Sequence, residues 1–554
     1  MPPIVAPYEF RPHERPLIPG SPATPEHPLG RRVAYAVIGA VVALAGGFSN
    51  GLLLANLPQI QGSLGLTPVE GGWLTAAYSM TNVCTSFVLI KFRQEFGLQR
   101  VTRIFLLGFV LLNGMQLFVH SYGSQLAVRA ASGVIASGFT PLAFFYIMQA
   151  MPAKSRMGGM IIGIGLTQVA LPLARVISPL LLADGNIHNL YLFEFGLSLV
   201  CLGCIALLRL PPSERSPVLE GLDLLTFALV APGVALLVAV LVQGRIIWWS
   251  TPWLGYALAG ALLLIGAGAL IEHNRANPML NTRWIASRDV LRFAAIAAVM
   301  RVLLGEQNYG SIGLLTAVGM GQDQLVGFYA IVTLATLAGL FIGVATMNPL
   351  DLLRQIVISV ALIGIAAWLD ASASNLTRPI NLYFTQSMIA FAAIYFLGPT
   401  MMGGVLRALA QGPSHMVSYA AVFSLSQTIG GLSGTALLGS FQIIREKYHS
   451  SELVQSLVMT DPQVVLRMQQ LSGAYARTTA DPVLRQVQGA GLLAQQVTRE
   501  ANILAFNDMF LLIAVLSGLA FVWLGGRWLY LRINGINPLG AELLALQRLL
   551  ASRQ

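Results

Sequence analysis

The feature that most constrains this chain is a succession of apolar runs, each about as long as a bilayer is thick. A crossing in helical form needs about 20 largely apolar residues. Such runs lie near residues 33–57, 72–91, 103–121, 124–150, 158–182, 189–208, 224–243 and 253–271, and again near 291–315, 325–346, 355–370, 381–405, 417–441 and 504–530. That makes fourteen candidate spans in 554 residues. Backbone groups in hydrocarbon must be satisfied within their own segment, and these runs are too long and continuous for barrel strands, so the spans are helical. The reading is therefore an all-α integral membrane protein. Only 10% of residues are charged, against about 25% in soluble domains, which excludes a soluble enzyme, a nucleic-acid binder and a disordered chain.

The net charge of +10 reports orientation rather than an acidic partner, because many of the arginines flank apolar runs. With the N-terminus in the cytoplasm, the inner loops collect Lys91, Arg93, Arg100, Arg103, Lys154, Arg156, Arg209, Arg275, Arg354 and Arg407, while the short outer loops hold little beyond Arg245 and Arg378. This asymmetry places both termini inside and demands an even number of spans. Cys84, Cys201 and Cys204 all fall in apolar segments, so no disulfide framework is implied.

The spans divide the chain. A Pro-rich cytoplasmic tail, 1–32, precedes six helices over 33–208. A polar, Pro-containing linker, 209–223, leads to two further helices over 224–272, and six more follow over 291–530. Within the last group, 442–503 is a long outer segment. Its Asp461-Pro462 and Asp481-Pro482 each place a capping residue before proline at a first helical position, which predicts a small helical hairpin outside the membrane. The tail 531–554 carries Leu543, Leu544, Leu546, Leu549 and Leu550 beside Arg548 and Arg553, and reads as an amphipathic helix on the inner surface.

Several short motifs now stand in a telling order. Leu57-Pro58, Trp73 and Tyr78 follow the first helix, and Leu222-Asp223 follows the linker. Gln243-Gly244 comes with Trp248, Trp249 and Ser250, and Asn277-Pro278 precedes helix 9. Ala505-Phe506-Asn507-Asp508-Met509-Phe510 opens the last helix. In this order the chain resembles the fourteen-helix drug:proton antiporter branch of the major facilitator superfamily, the EmrB/QacA-like multidrug exporters. The resemblance implies two six-helix bundles with two helices inserted between them, alternating access, and motif positions at Asp223, Asn507 and Asp508. It also implies proton-driven export across a bacterial inner membrane, and in some members a membrane-fusion adaptor that continues to an outer-membrane channel. The chain departs from the family in places. Ser49-Asn50 stands where relatives carry an aspartate, Gln94 replaces the gating-loop aspartate, and helix 5 reads Pro172-Leu-Ala-Arg175-Val-Ile-Ser-Pro179 instead of the usual antiporter motif.

Ionisable side chains within a span are functional candidates, since each costs roughly 2.5–3.5 kcal/mol at mid-membrane. Five stand out: Arg129, Arg175, Glu194, Arg301 and Glu306. Arg175 and Glu194 come from consecutive helices at similar depth, where pairing would remove the cost of two isolated charges; whether Arg175 holds Glu194 or contacts substrate stays open. Arg129 matches the family's helix 4 arginine. Arg301 and Glu306 are five residues apart, about 140° around a helix, and cannot both face lipid. A carboxyl removed from water can exchange a proton and an arginine cannot, which makes Glu306, then Glu194, the candidate proton carriers. Arg129, Arg301 and Arg175, with the aromatic Tyr309, are the candidate cavity and substrate residues. Three arginines against two glutamates favour an anionic or amphipathic substrate, such as an aromatic carboxylate. Asp508, near the outer end of the last span, is expected to cap that helix.

There is no phosphate-binding GxxxxGK[ST] and no HExxH, so neither a metal site nor a cofactor is expected, and no enzyme chemistry. The partners expected are a small-molecule substrate, protons, membrane lipid and an adaptor. Two alternatives stay open: an importer or uniporter of organic anions, and a non-transporting sensor with the same fold.

Overall fold

The computed structural model describes residues 14, 16, 20–152, 155–412, 415–458 and 460–551. Most of the N-terminal tail lies outside these residues, as do Lys154 and Arg553, and so do the side chains from residue 546 onward.

Among the described residues the architecture is all helix, with one isolated bridge between Pro22 and Ser213. In chain order the helices are α1 Leu29–Ala55, α2 Leu57–Leu64, α3 Pro68–Phe96, α4 Leu98–Gln116, α5 Tyr122–Ala136, α6 Phe139–Ala150, α7 Arg156–Leu181, α8 His188–Leu207, α9 Gly221–Ile247 and α10 Pro252–His273. After the short α11, Thr282–Ile285, come α12 Arg288–Leu303, α13 Ile312–Ala317, α14 Val326–Ala345, α15 Leu352–Asp370, α16 Tyr383–Gln411, α17 His415–Ser456, α18 Pro462–Gly473, α19 Pro482–Ile533 and α20 Gly540–Ala551. Thirteen helices are long and apolar enough to cross a membrane, α5 and α6 counting as one. The expected ninth span is not among them, because Glu306–Ser311 between α12 and α13 winds as a π-helix.

Two expected spans are parts of much longer helices. The segments 417–441 and 504–530 lie inside α17 and α19, and nothing in 442–456 or 483–503 breaks a helix. The outer segment is consequently the far ends of α17 and α19 with α18 packed on α19, rather than a separate hairpin. Its caps form as expected: Asp461 accepts from the Gln463 amide and Asp481 from the Val483 amide, each at 2.8 Å.

We call the face where α1 begins and α19 ends the near face, and the opposite one the far face. α1 packs on α6 and α7, α3 on α5, and α4 on α8; α14 packs on α16, α15 on α16 and α19, and α12 on α17. The two groups meet where α14 crosses α7, and α9 lies against both α3 and α17. Small residues make these contacts close. A Cβ on Gly163 would stand 2.3 Å from the Phe144 Cα, and one on Gly47 would stand 2.4 Å from the Ala170 Cβ. The remaining apolar surface, such as Ile104 and Leu111 on α4 or Leu262 and Leu263 on α10, is what lipid would cover.

At the near face, buried ion pairs fasten α9 and α10 to α3. Asp223 binds the Lys91 Nζ at 2.6 Å and Arg275 at 2.8 Å, and Arg275 also binds Glu272 and Glu220, each at 2.7 Å. The linker is strapped to the α3–α4 turn: the Glu95 carboxylate accepts from the Val218 and Leu219 amides, and the Gln94 carbonyl from Ser216. Gly97 makes that turn with φ of 82°, which a side chain would strain.

Gly163→Ala should separate α7 from α6 and cost about 1–3 kcal/mol. Gly196→Ala, with no atom within 4 Å of the added carbon, should leave stability unchanged or slightly raised. Thermal unfolding in detergent measures both.

Candidate functional site: a central cavity with guanidinium groups and a carboxyl pair behind it

Between the two helix groups lies a cavity of about 310 Å³ lined by α1, α3, α5, α6, α7, α12, the π-helical turn, α14 and α16. A second cavity of about 290 Å³ adjoins it toward the near face, and both are bounded by Asn82, Thr140, Thr167 and Gln168. Among the described residues, no carboxylate lines either one. The cations on their walls are Arg175 and Arg301 in the first and Arg93 in the second.

Arg175 sits between Pro172 and Pro179 on α7. Of the two roles left open for it, pairing with Glu194 is not the one seen. Its Nη1 donates to the Tyr329 hydroxyl at 2.6 Å, and its guanidinium lies 4.9 Å from the centre of that ring. The reason is geometric: α7 is covered by α14 at this point, and α14 supplies the tyrosine, while α8 packs mainly on α4 and α1. Glu194 instead faces the charge of Arg129. Arg129 donates to the Ser49 carbonyl at 2.8 Å and to the Asn50 Oδ1 at 3.2 Å and lies over the Tyr78 ring, so it stands behind the cavity wall that Asn50 and Tyr78 form. Arg301 has no ion pair among the described residues, and its Nε is buried without a partner. Arg93 is in the same position, 5.1 Å from the centre of the Phe145 ring.

Glu306 is fully buried and does not line the cavity. The π-helical turn admits an extra residue per turn, a distortion that often marks a functional site. It sends Glu306 inward while Gln307 and Asn308 face the cavity. Behind the wall, the Gln386 side-chain amide donates to both oxygens of Glu306, at 2.9 and 3.1 Å, and to Asp370 at 2.9 Å. Both partners are deeply buried, Gln386 at 0% exposure and Asp370 at 3%. Gln307 donates to the Gln386 backbone carbonyl at 2.9 Å, so one cavity-lining side chain touches the residue that bridges the two carboxyls. Asp370 and Gln386 escaped the sequence reading because each stands where an apolar run ends or begins, the usual place for a solvated polar group. The available signal was the polar triplet Glu306-Gln307-Asn308 between Gly305 and Gly310, which shows that something polar must face it.

The other candidates lie elsewhere. Tyr309 is outside the cavity; it accepts from Arg245 and donates to Gln442, each at 3.2 Å, bracing α9 against α17. Asp508 does not cap a helix, because α19 begins at Pro482 and Asp508 sits well inside it. It accepts from the Arg445 Nε and the His449 Nε2, both at 2.6 Å, tying α19 to α17. Asn507 donates to the Ala373 carbonyl at 2.8 Å. Asp223 belongs to the near-face ion cluster.

With this geometry in place, three comparisons bear on identity. Residues 39–435 match the family model described as Major Facilitator Superfamily. The multidrug export protein EmrB of Escherichia coli strain K12 is 20% identical over 85% of this chain and 90% of its own length; its Haemophilus influenzae counterpart is 23% identical over 84% and 90%. The human organic anion transporter MFSD10 superposes with a TM-score of 0.53 at 14% identity, covering 89% of this chain and 100% of its own.

A double-mutant cycle tests the rearranged pairing. Glu194→Gln and Arg175→Leu should be additive in unfolding free energy within about 0.5 kcal/mol, whereas Glu194→Gln and Arg129→Leu should depart from additivity by about 1–3 kcal/mol.

Proposed function

Because this chain belongs to the Major Facilitator Superfamily, we propose that it is a proton-driven secondary exporter of amphipathic or aromatic organic anions, working by alternating access in a bacterial inner membrane. The observation that carries this is the charge distribution around the central cavity: Arg175 and Arg301 on its wall, no carboxylate among its described lining residues, and two carboxyls withdrawn behind it. An ammonium ion would find no counter-charge there, while a carboxylate would find two guanidiniums and the amides of Gln307 and Asn308. Anion export is also favoured by an interior-negative potential, which contributes about 2.3 kcal/mol per charge at 100 mV.

The proton carrier in this reading is the Glu306–Asp370 pair rather than Glu194. Two ionised carboxylates on one amide, with no cation in contact, would be strongly unfavourable out of water, so the pair shares a proton. Glu194 faces the charge of Arg129, whereas the pair faces no cation among the described residues. The pair lies near the far-face ends of α15 and α16, which suits proton entry from outside. The Gln307–Gln386 hydrogen bond is the route by which the seated substrate and the protonated pair influence each other.

In the same reading, α12, the π-helical turn and α13 form the ninth of fourteen crossings, with both termini cytoplasmic. α9 and α10 are the pair inserted between two six-helix bundles, and the placement of α9 against α3 and α17, with α10 on α9, supports this. The far extensions of α17 and α19 with α18 are the surface on which an adaptor would dock.

Inside-out vesicles energised to an acidic interior should accumulate labelled aromatic carboxylates, and an uncoupler should abolish the accumulation. Glu306→Gln and Asp370→Asn should each reduce uptake to equilibration that ignores pH. Full pH-gradient dependence in both variants would contradict the assignment, and uncoupler-insensitive equilibration by the unaltered protein would identify a uniporter.

A further inference from the structure

Another cavity exceeds the central one in volume. It holds about 500 Å³ at the near face, between the ends of α12, α15, α16 and α19 and the turn that follows α19. Five arginines line it: Arg292, Arg354, Arg407, Arg527 and Arg532.

The acids nearby do not neutralise this set. Asp351 is occupied by the Trp528 indole, which donates to it at 2.9 Å, and Asp289 contacts Arg292 at 3.7 Å on an exposed edge. Arg407 is the deepest of the five. Its Nε is buried without a partner, and it feels the attraction of Asp289 and Glu542 but the repulsion of Arg527. Two neighbouring guanidiniums and an unsatisfied buried donor therefore concentrate positive charge in this cavity.

The rest of the lining says which anion. Phe293, Ile296, Leu352 and Ile356 make an apolar wall beside the charges. Around the mouth, Leu350 is 61% exposed and Ile536 is 48% exposed, beside the ends of membrane-crossing helices. A planar guanidinium matches phosphate oxygens two at a time, and basic pockets between helix ends at the inner surface suit anionic headgroups. We propose that this arginine cup binds a phosphate-bearing anion, seated as the headgroup of an anionic phospholipid whose acyl chains lie along the apolar wall. The inference is independent of the transport reading.

The test uses the purified full-length protein in detergent, with melting temperature followed as cardiolipin, phosphatidylethanolamine or inorganic phosphate is added. Cardiolipin should raise the melting temperature, and neither of the other two should match it. Arg407→Gln combined with Arg527→Gln should weaken that protection by about tenfold or more. If the double variant does not fold, Arg354→Gln on the exposed rim should still weaken it measurably. Protection by inorganic phosphate equal to that by cardiolipin, and lost in the same variants, would overturn the lipid occupant and make the cup a site for a soluble phosphate. Absence of protection by any of the three, or protection unchanged in the variants, would overturn the site itself.

Discussion

A charge taken out of water must be answered by a neighbour, and the organisation of this protein follows from how each of its buried charges is answered. Asp223 and Glu272 are met by Lys91 and Arg275, so helices α9 and α10 stay attached at the near face. Asp508 is met by Arg445 and His449, which ties the two longest helices together. Glu306 and Asp370 share the Gln386 amide and have no ion pair with a cation among the described residues. Arg301 and Arg93 are met by no carboxylate among the described residues. The last two cases are the unfinished ones, and both border the central cavities. Balanced clusters hold the helices, while the unbalanced arginines line the cavities.

Backbone geometry decides which groups remain unbalanced. Arg301 on α12 lines the cavity, and Glu306, five residues on, does not. The π-helical turn between Gly305 and Ile312 instead buries the glutamate and leaves Gln307 in its place. The cavity keeps its arginine and loses its acid, but a hydrogen bond still joins the two compartments. Close helix packing at Gly163 and Gly47 keeps α1, α6 and α7 together as one wall.

Much of the fold was legible in the sequence, because span length, charge asymmetry and Asp-Pro caps depend on local composition. The caps at Asp461 and Asp481 formed where expected, and the apolar runs became helices. The failures share one cause: they concern which helices touch. Arg175 and Glu194 stand at similar depth on consecutive helices, yet the side chain nearest Arg175 is Tyr329 on α14, distant in sequence. The length of α19 turned Asp508 from a cap into an interior ion-pair partner. Asp370 and Gln386 were invisible at the margins of apolar runs, where polar residues are ordinary. Identity of the buried charges was readable; their partners were tertiary information.

The most direct measurement is equilibrium binding of two fluorescent ligands that share one ring system, a carboxylate and a quaternary ammonium, to the purified protein. Guanidiniums without a facing carboxylate predict that the carboxylate binds at least about tenfold tighter, since a single charge-assisted contact is worth about 1.5–3 kcal/mol. They further predict that Arg301→Gln removes most of this preference without affecting the ammonium ligand. Tighter binding of the ammonium ligand, or a preference that Arg301→Gln leaves intact, would contradict an anion-selective cavity.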